Sequence, residues 1–371
     1  MALSAGTQVR AAVVRLPGSK FELRTLALEA PRADEVLVRV VSSGVCHTDA
    51  VARAGDYPVP TPVVLGHEGA GVVVAVGQEV RDIAVDDHVV MSFVACGRCS
   101  TCRAGRPALC QSALECNFSA QRADGSTALR TEDDKPVHSH FFGQSSFATY
   151  ALAPAASTVV IDREFDLRLA GPLGCGFQTG AGAIFNSLQP DPGSTIAVFG
   201  VGAVGLAAVM AAAIAGCTTI IAIDRHQSRL DLALQVGATD VVLAGEQDAV
   251  AAVRALCDGG TEFAIDTTGN PGVVRQAVDS LRVAGVFGLI GSAKFGTEVS
   301  LDLTHMLFGR IFRGIILGDS NPRQFIPQLI AYQQAGLFPI EKLITYFPLE
   351  DIEKAVMSSE DGQTVKPVIL M

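Results

Sequence analysis

The sequence predicts an α/β protein of two domains: a mostly β domain, and a doubly wound parallel sheet set between its two parts. Three observations carry this. The chain has 371 residues, more than one ordinary hydrophobic core organises. Residues 1 to about 175 are rich in Gly, Pro and β-branched residues, with short strand-like runs divided by turn residues. From about residue 177, apolar strands alternate with helices, the pattern of a parallel sheet covered on both faces. The boundaries are drawn at 1–177 with 318–371 for the β domain and at 178–317 for the parallel-sheet domain.

In the first segment the strand runs are residues 9–14, 36–41, 71–76 and 88–92. Two stretches, 96–110 and 117–136, read as loops longer than ordinary connections, and such loops carry function or stay mobile. In the second segment the strands are Thr195–Phe199, 219–223, Asp240–Leu243, 263–266 and 285–290, with helices at 204–215, 228–236, 247–256 and 273–281 between them. The rhythm weakens after residue 317, and the tail from 322 is expected to return to the first domain.

Composition excludes several classes. Hydrophobic residues make up 49% and charged residues 18%, which suits a packed globular protein and argues against disorder. Net charge is −10 without a Lys/Arg cluster, a surface that repels phosphate backbones and acidic headgroups. Neither nucleic acid nor a membrane is an expected partner. The apolar run 207–215 is too short to span a bilayer. Residues 1–16 carry no apolar leader core. Nine cysteines, an odd count, fit a reducing compartment with metal-binding or catalytic thiols better than a disulfide framework. The expected address is cytoplasmic.

Gly200-Val201-Gly202-Ala203-Val204-Gly205 follows one strand and opens a helix, and Asp224 ends the next strand. A GxGxxG run alone is weak in a chain with 37 glycines, but strand, turn, helix and distal acid together read as a dinucleotide site. Gly200 permits the tight turn, Gly202 lets the backbone approach a pyrophosphate, and Gly205 allows close helix–strand packing. Ala203 and Val204 begin the helix whose amides and dipole face the phosphates. Asp224 accepts from the ribose hydroxyls and repels a 2′-phosphate, so NAD is expected over NADP despite Arg225 beside it and Arg229 a turn on.

Cys96, Cys99, Cys102 and Cys110 form a tightly spaced four-thiolate set, and a closed set of four is a structural zinc site with no position left for substrate. Buried free thiols, or a zinc ribbon for nucleic acid, are the alternatives. Cys46, His67 and Cys175 are dispersed. Two thiolates and an imidazole would leave a fourth position open, the pattern of a catalytic zinc. Spacing alone leaves this even with ordinary burial of those residues.

The stretch Gly66-His67-Glu68-x2-Gly71-x5-Gly77 resembles the signature of zinc-containing alcohol dehydrogenases of the medium-chain dehydrogenase/reductase family, and the likeness runs over essentially the whole chain. It is most like the bacterial aryl-alcohol (benzyl-alcohol) branch. The resemblance implies a GroES-like catalytic domain holding two zinc ions and a Rossmann domain holding NAD. It makes Cys46, His67 and Cys175 the catalytic ligands and Cys96, Cys99, Cys102 and Cys110 the structural ones. It implies that Asp49 bonds the zinc-binding His67, that Glu68 stands behind the zinc, and that Thr48 bonds the substrate oxygen. It places Thr179 against nicotinamide and makes His47 and Lys366 cationic partners of the pyrophosphate. Phe93 and Phe142 fall at pocket positions. Position 51 departs from the pattern, since Val51 stands where many relatives have a proton-relaying His.

The resemblance implies a homodimer or homotetramer acting on a small-molecule alcohol or aldehyde. The expected reaction is reversible hydride transfer from a primary, benzyl-type alcohol to NAD. The nearest rival is an S-(hydroxymethyl)glutathione dehydrogenase, which the 117–136 loop also fits. A non-enzymatic binding protein would be expected to lose ligands that this chain keeps.

Overall fold

A computed structural model of the chain describes residues 7–371. The first six, part of the N-terminal stretch read above as lacking an apolar leader, lie outside the described residues. Among the described residues two compact units emerge: residues 7–175 with 321–330 and 341–371, and residues 176–320 with 331–340.

The first unit holds two sheets, one antiparallel and one antiparallel but for the parallel pair Ile344–Pro348 and Lys366–Leu370. Five strands run in the order Val63–Val64, Thr7–Val14, Phe21–Leu28, Leu129–Arg130 and Pro136–Val137. In the other sheet the order is Thr158–Ile161, His88–Met91, Gly69–Val76, Glu35–Gly44, Lys366–Leu370 and Ile344–Pro348. The long strand Glu35–Gly44 also pairs with Tyr150–Pro154. Register shifts after Leu37 and Val40 bend it, as bulges do, so one strand serves several partners. Its alternating Val36, Val38 and Val40 are buried.

The stretch 117–136 is not the open loop that its length suggested. Asn117 sits in the helix Ala113–Phe118, and Leu129–Arg130 joins the five-stranded sheet opposite Ala27 and Leu28. A buried charge pins the remainder. Arg122 donates from Nε to Glu35 Oε1 at 2.7 Å and from Nη2 to Oε2 at 3.0 Å, and from Nη1 to Glu29 at 2.9 Å. Such a bidentate pair fixes direction as well as distance. The stretch 96–110 likewise folds into the helix Ser100–Arg103 and the turn Pro107–Leu109.

The second unit is a six-stranded parallel sheet. Numbered within itself its order is 3-2-1-4-5-6, with Thr195–Phe199 first and Thr261–Asp266 fourth. This is a Rossmann arrangement, whose ligand crevice lies where strands 1 and 4 part. The helix Ala203–Ile214 is buried along Leu206 to Ala212, which is why it is apolar on every side. No helix among the described residues is long and apolar enough to cross a membrane.

Among the elements that the sequence reading did not name, two are instructive. Gly176–Gly182 is helical and runs into a wider turn, Ala183–Leu188, although glycine disfavours helices. Packing overrides that preference: a Cβ on Gly180 would stand 2.0 Å from the Val204 carbonyl of the neighbouring helix. Ile311–Gly314 forms the sixth strand, at the sheet edge, with all four residues exposed.

Candidate active site

Cys46 caps the helix His47–Ala54, which carries His47, Thr48, Asp49 and Val51. Asp49 organises this end. Its Oδ2 accepts from the Cys46 N–H at 3.0 Å, while Oδ1 accepts from Gly66 N–H and stands 2.9 Å from His67 Nδ1. His67 Nδ1 is thereby committed, which leaves Nε2 as the free ring nitrogen. That Nε2 is buried and has no hydrogen-bonding partner among the described residues. Gln144 holds the segment from behind, donating to the His67 carbonyl at 3.0 Å and accepting from Gly69 N–H at 2.9 Å. Cys175 ends the turn Gly171–Gly174. Ligand atoms of Cys46, His67, Glu68 and Cys175 all lie within 4.8 Å of one another. Two thiols with a buried, unpartnered imidazole nitrogen between them suit a soft divalent ion.

Cys96, Cys99, Cys102 and Cys110 form a second such group, again within 4.8 Å. In the other unit, Gly200 has φ +84°, the left-handed conformation that the turn after strand 1 requires. A Cβ on Gly205 would stand 2.0 Å from the Gly200 carbonyl, whereas one on Gly202 would meet nothing within 4 Å. The first glycine is thus demanded by the protein itself. The second leaves backbone bare toward open space, as a cofactor cradle needs. Asp224 is buried, accepting from Val201 N–H at 2.9 Å and His226 N–H at 3.0 Å. Arg229 approaches it to 3.9 Å, and Arg225 is exposed.

Known proteins agree with this geometry. An alcohol dehydrogenase GroES-like domain matches residues 32–163, and a zinc-binding dehydrogenase domain matches 203–332. The chain belongs to the zinc-dependent alcohol dehydrogenase family. It is 42% identical to a geraniol dehydrogenase of Castellaniella defragrans, over 97% of both chains. With an S-(hydroxymethyl)glutathione dehydrogenase of Escherichia coli it shares 35% identity over 97% of this chain and 99% of the relative. The structure of benzyl alcohol dehydrogenase from Acinetobacter calcoaceticus superposes with a TM-score of 0.95 at 43% identity, covering 98% of this chain and 99% of that one.

Within this alcohol dehydrogenase, electrostatics prepare the thiols for a cation. The Cys175 thiol beside it pulls Cys46 well below its ordinary range against the cost of burial, and His67 and Lys366 add to the pull. In the four-cysteine group, the Thr101 hydroxyl and the Gln111 and Cys102 amides bring Cys99 down to about 5, while burial and Cys99 push Cys102 up to about 12. A metal entering either group would displace the protons that its thiols still carry.

Aromatic rings surround His67. Phe142 stacks on its imidazole with centroids 4.5 Å apart at 27°, and Phe141 meets it edge-on at 5.6 Å. Phe118 packs on Phe142 at 5.1 Å and Tyr57 on Phe118 at 4.8 Å. Both His140 and Phe142 sit at positive φ, 67° and 50°, a strain that surrounding bonds must hold. Phe93 is buried just after the strand His88–Met91, Val51 is half-buried, Thr48 half-buried and His47 exposed. Thr179 is buried in the helix Gly176–Gly182.

Lys366, expected against a pyrophosphate, lies in the strand Lys366–Leu370 and is 2% exposed, with Nζ 2.7 Å from Glu68 Oε2 and 3.1 Å from the Val45 carbonyl. Tyr57, Phe118, Phe141, Gln144 and the Arg122–Glu35–His140 cluster were not anticipated. The adjacent pair Phe141–Phe142 was the only local signal that could have pointed to the aromatic group.

Proposed function

We propose that the enzyme carries out reversible hydride transfer from a primary, benzyl-type alcohol to NAD, giving the aldehyde, NADH and a proton. The stacked Phe142 ring on His67, backed by Phe118 and Tyr57, is the observation that carries the aromatic preference: it sets flat apolar surface beside the metal cluster. On this reading Cys46, His67 and Cys175 hold a catalytic zinc and Cys96, Cys99, Cys102 and Cys110 a structural one. When bound, zinc supplies Lewis acidity that lowers the pKa of an alcohol oxygen.

The chain's own groups do the rest. Asp49 and Gln144 fix the His67 ring and backbone. Thr48 accepts the alcohol proton and hands it outward. Val51 cannot take it further, so exposed His47 or solvent receives it. Gly202 admits the pyrophosphate, and Asp224 takes the adenosine ribose and disfavours a 2′-phosphate. Arg122 is not available to a glutathione carboxylate, because its guanidinium is turned inward to Glu35 and Glu29.

Initial rates with benzyl alcohol, geraniol and S-(hydroxymethyl)glutathione, each with NAD and with NADP, test this. The expected result is a kcat/KM for benzyl alcohol about tenfold or more above the glutathione adduct, with NAD preferred. A preference for the adduct overturns the aromatic reading, a preference for geraniol moves it to allylic alcohols, and a preference for NADP removes the Asp224 argument.

We further propose that the enzyme is a homodimer or homotetramer. The edge strand Ile311–Gly314 presents Ile311 and Phe312 at 49% and 36% exposure, with Leu303 and Leu307 nearby in sequence at 79% and 83%. An apolar edge of this kind seeks a partner strand. Light scattering on the purified protein should give a multiple of the 38.7 kDa chain mass, and a monomer would refute it.

A further inference from the structure

Lys366 carries a buried positive charge paired with the carboxylate of Glu68. Its Nζ lies 2.9 Å from Oε1 and 2.7 Å from Oε2 of Glu68, so one ammonium engages both carboxylate oxygens. Glu68 is fully buried, and its carboxylate belongs to the same group of ligand atoms as Cys46, His67 and Cys175. The backbone makes room for it there: a Cβ on residue 44, a glycine, would stand 1.9 Å from Glu68 Oε2. The carboxylate therefore sits between a metal cluster on one side and an ammonium on the other.

A carboxylate within reach of a divalent cation coordinates it unless something competes. Were Glu68 to bind alongside two thiolates and an imidazole, the shell would close at four ligands, the arrangement that leaves no place for substrate. Two thiolates and a carboxylate also bring three negative charges into a buried volume. A divalent ion and one ammonium balance them. We propose that Lys366 is a positioning residue that holds Glu68 off the catalytic metal and so keeps the fourth position open. This rests on the metal reading given above.

The test uses the holoenzyme with Co(II) in place of zinc, and imidazole as the probe for an open position, read from the shift of the cobalt visible bands. Wild type should bind two cobalt ions per chain, one for each cysteine group, and respond to imidazole. Lys366→Met should show altered bands before any imidazole is added and bind the probe at least about tenfold more weakly, a loss of about 1.4 kcal/mol. Lys366→Arg should behave as wild type, and adding Glu68→Gln to Lys366→Met should restore the affinity.

Lys366→Leu, which like methionine offers Glu68 no donor, gives the same comparison should the methionine variant fail to fold. Unchanged bands and affinity in Lys366→Met or Lys366→Leu overturn the proposal. So does a loss that Glu68→Gln fails to repair, since the lysine would then act on the fold alone. A wild-type protein that binds cobalt only at the four-cysteine group removes the metal reading and this inference together.

Discussion

Replacing Cys46 with serine is expected to lower kcat roughly 10³-fold or more, with NAD affinity unchanged and one of the two bound metals lost. A serine hydroxyl stays protonated where the Cys46 thiol is held well below its ordinary range, so the cation loses a charged soft ligand. The local fold should survive, because Asp49 bonds the backbone N–H of residue 46 rather than its side chain. The glycine turn 200–205 belongs to the other compact unit and has its own supports in Asp224 and Thr267. Metal analysis with a fluorescence titration of NAD separates these effects. Retained turnover would remove Cys46 from the mechanism, and lost NAD binding would show that the variant had damaged more than one ligand.

Glu35→Ala should cost about 3 kcal/mol, because it removes two bonds of the buried Arg122 guanidinium and leaves it only the partly exposed Glu29. At roughly 2–4 °C per kcal/mol for a unit of this size, Tm falls by about 10 °C. The pH dependence distinguishes this from generic core damage. Burial works against the Glu35 charge, but bonds from His140 and Arg122 and the Arg32 N–H outweigh it and hold the carboxyl well below 4.5. A depressed carboxylate contributes stability that is complete above pH 4.5 and fades as the pH falls toward the folded value. The difference in Tm between wild type and Glu35→Ala should therefore be widest above pH 5 and shrink in acid. A difference that stays constant down to pH 3 would mean that the charge is not what stabilises this cluster.

The fold class and the family were legible in the sequence because their signals are local. A glycine turn between strand and helix, four cysteines in fifteen positions and the Gly-His-Glu stretch each sit within one short segment. What escaped was long-range. Arg122 finds Glu35 across 87 positions, and Lys366 finds Glu68 across 298. No periodicity announces such a partner. Length misled at 117–136, where two short strands and one buried guanidinium do the work that a regular element would make visible. Gly176–Gly182 shows the opposite failure: its glycines argue against a helix until the neighbouring helix, packed too close for a Cβ, explains them.

The position of Lys366 has a consequence for how the protein is made. Cys46, His67, Glu68 and Cys175 are all translated before the second unit, and Lys366 follows Cys175 by 191 positions. At about 5–20 residues per second, that gap lasts roughly 10–40 s. Throughout it the nascent first unit lacks both the ammonium that faces Glu68 and the strand that pairs with Ser42, Ser43 and Gly44. On the role proposed for Lys366, a cation captured early would meet Glu68 unopposed, and correct metallation would belong to the end of synthesis, when the last strand joins the sheet.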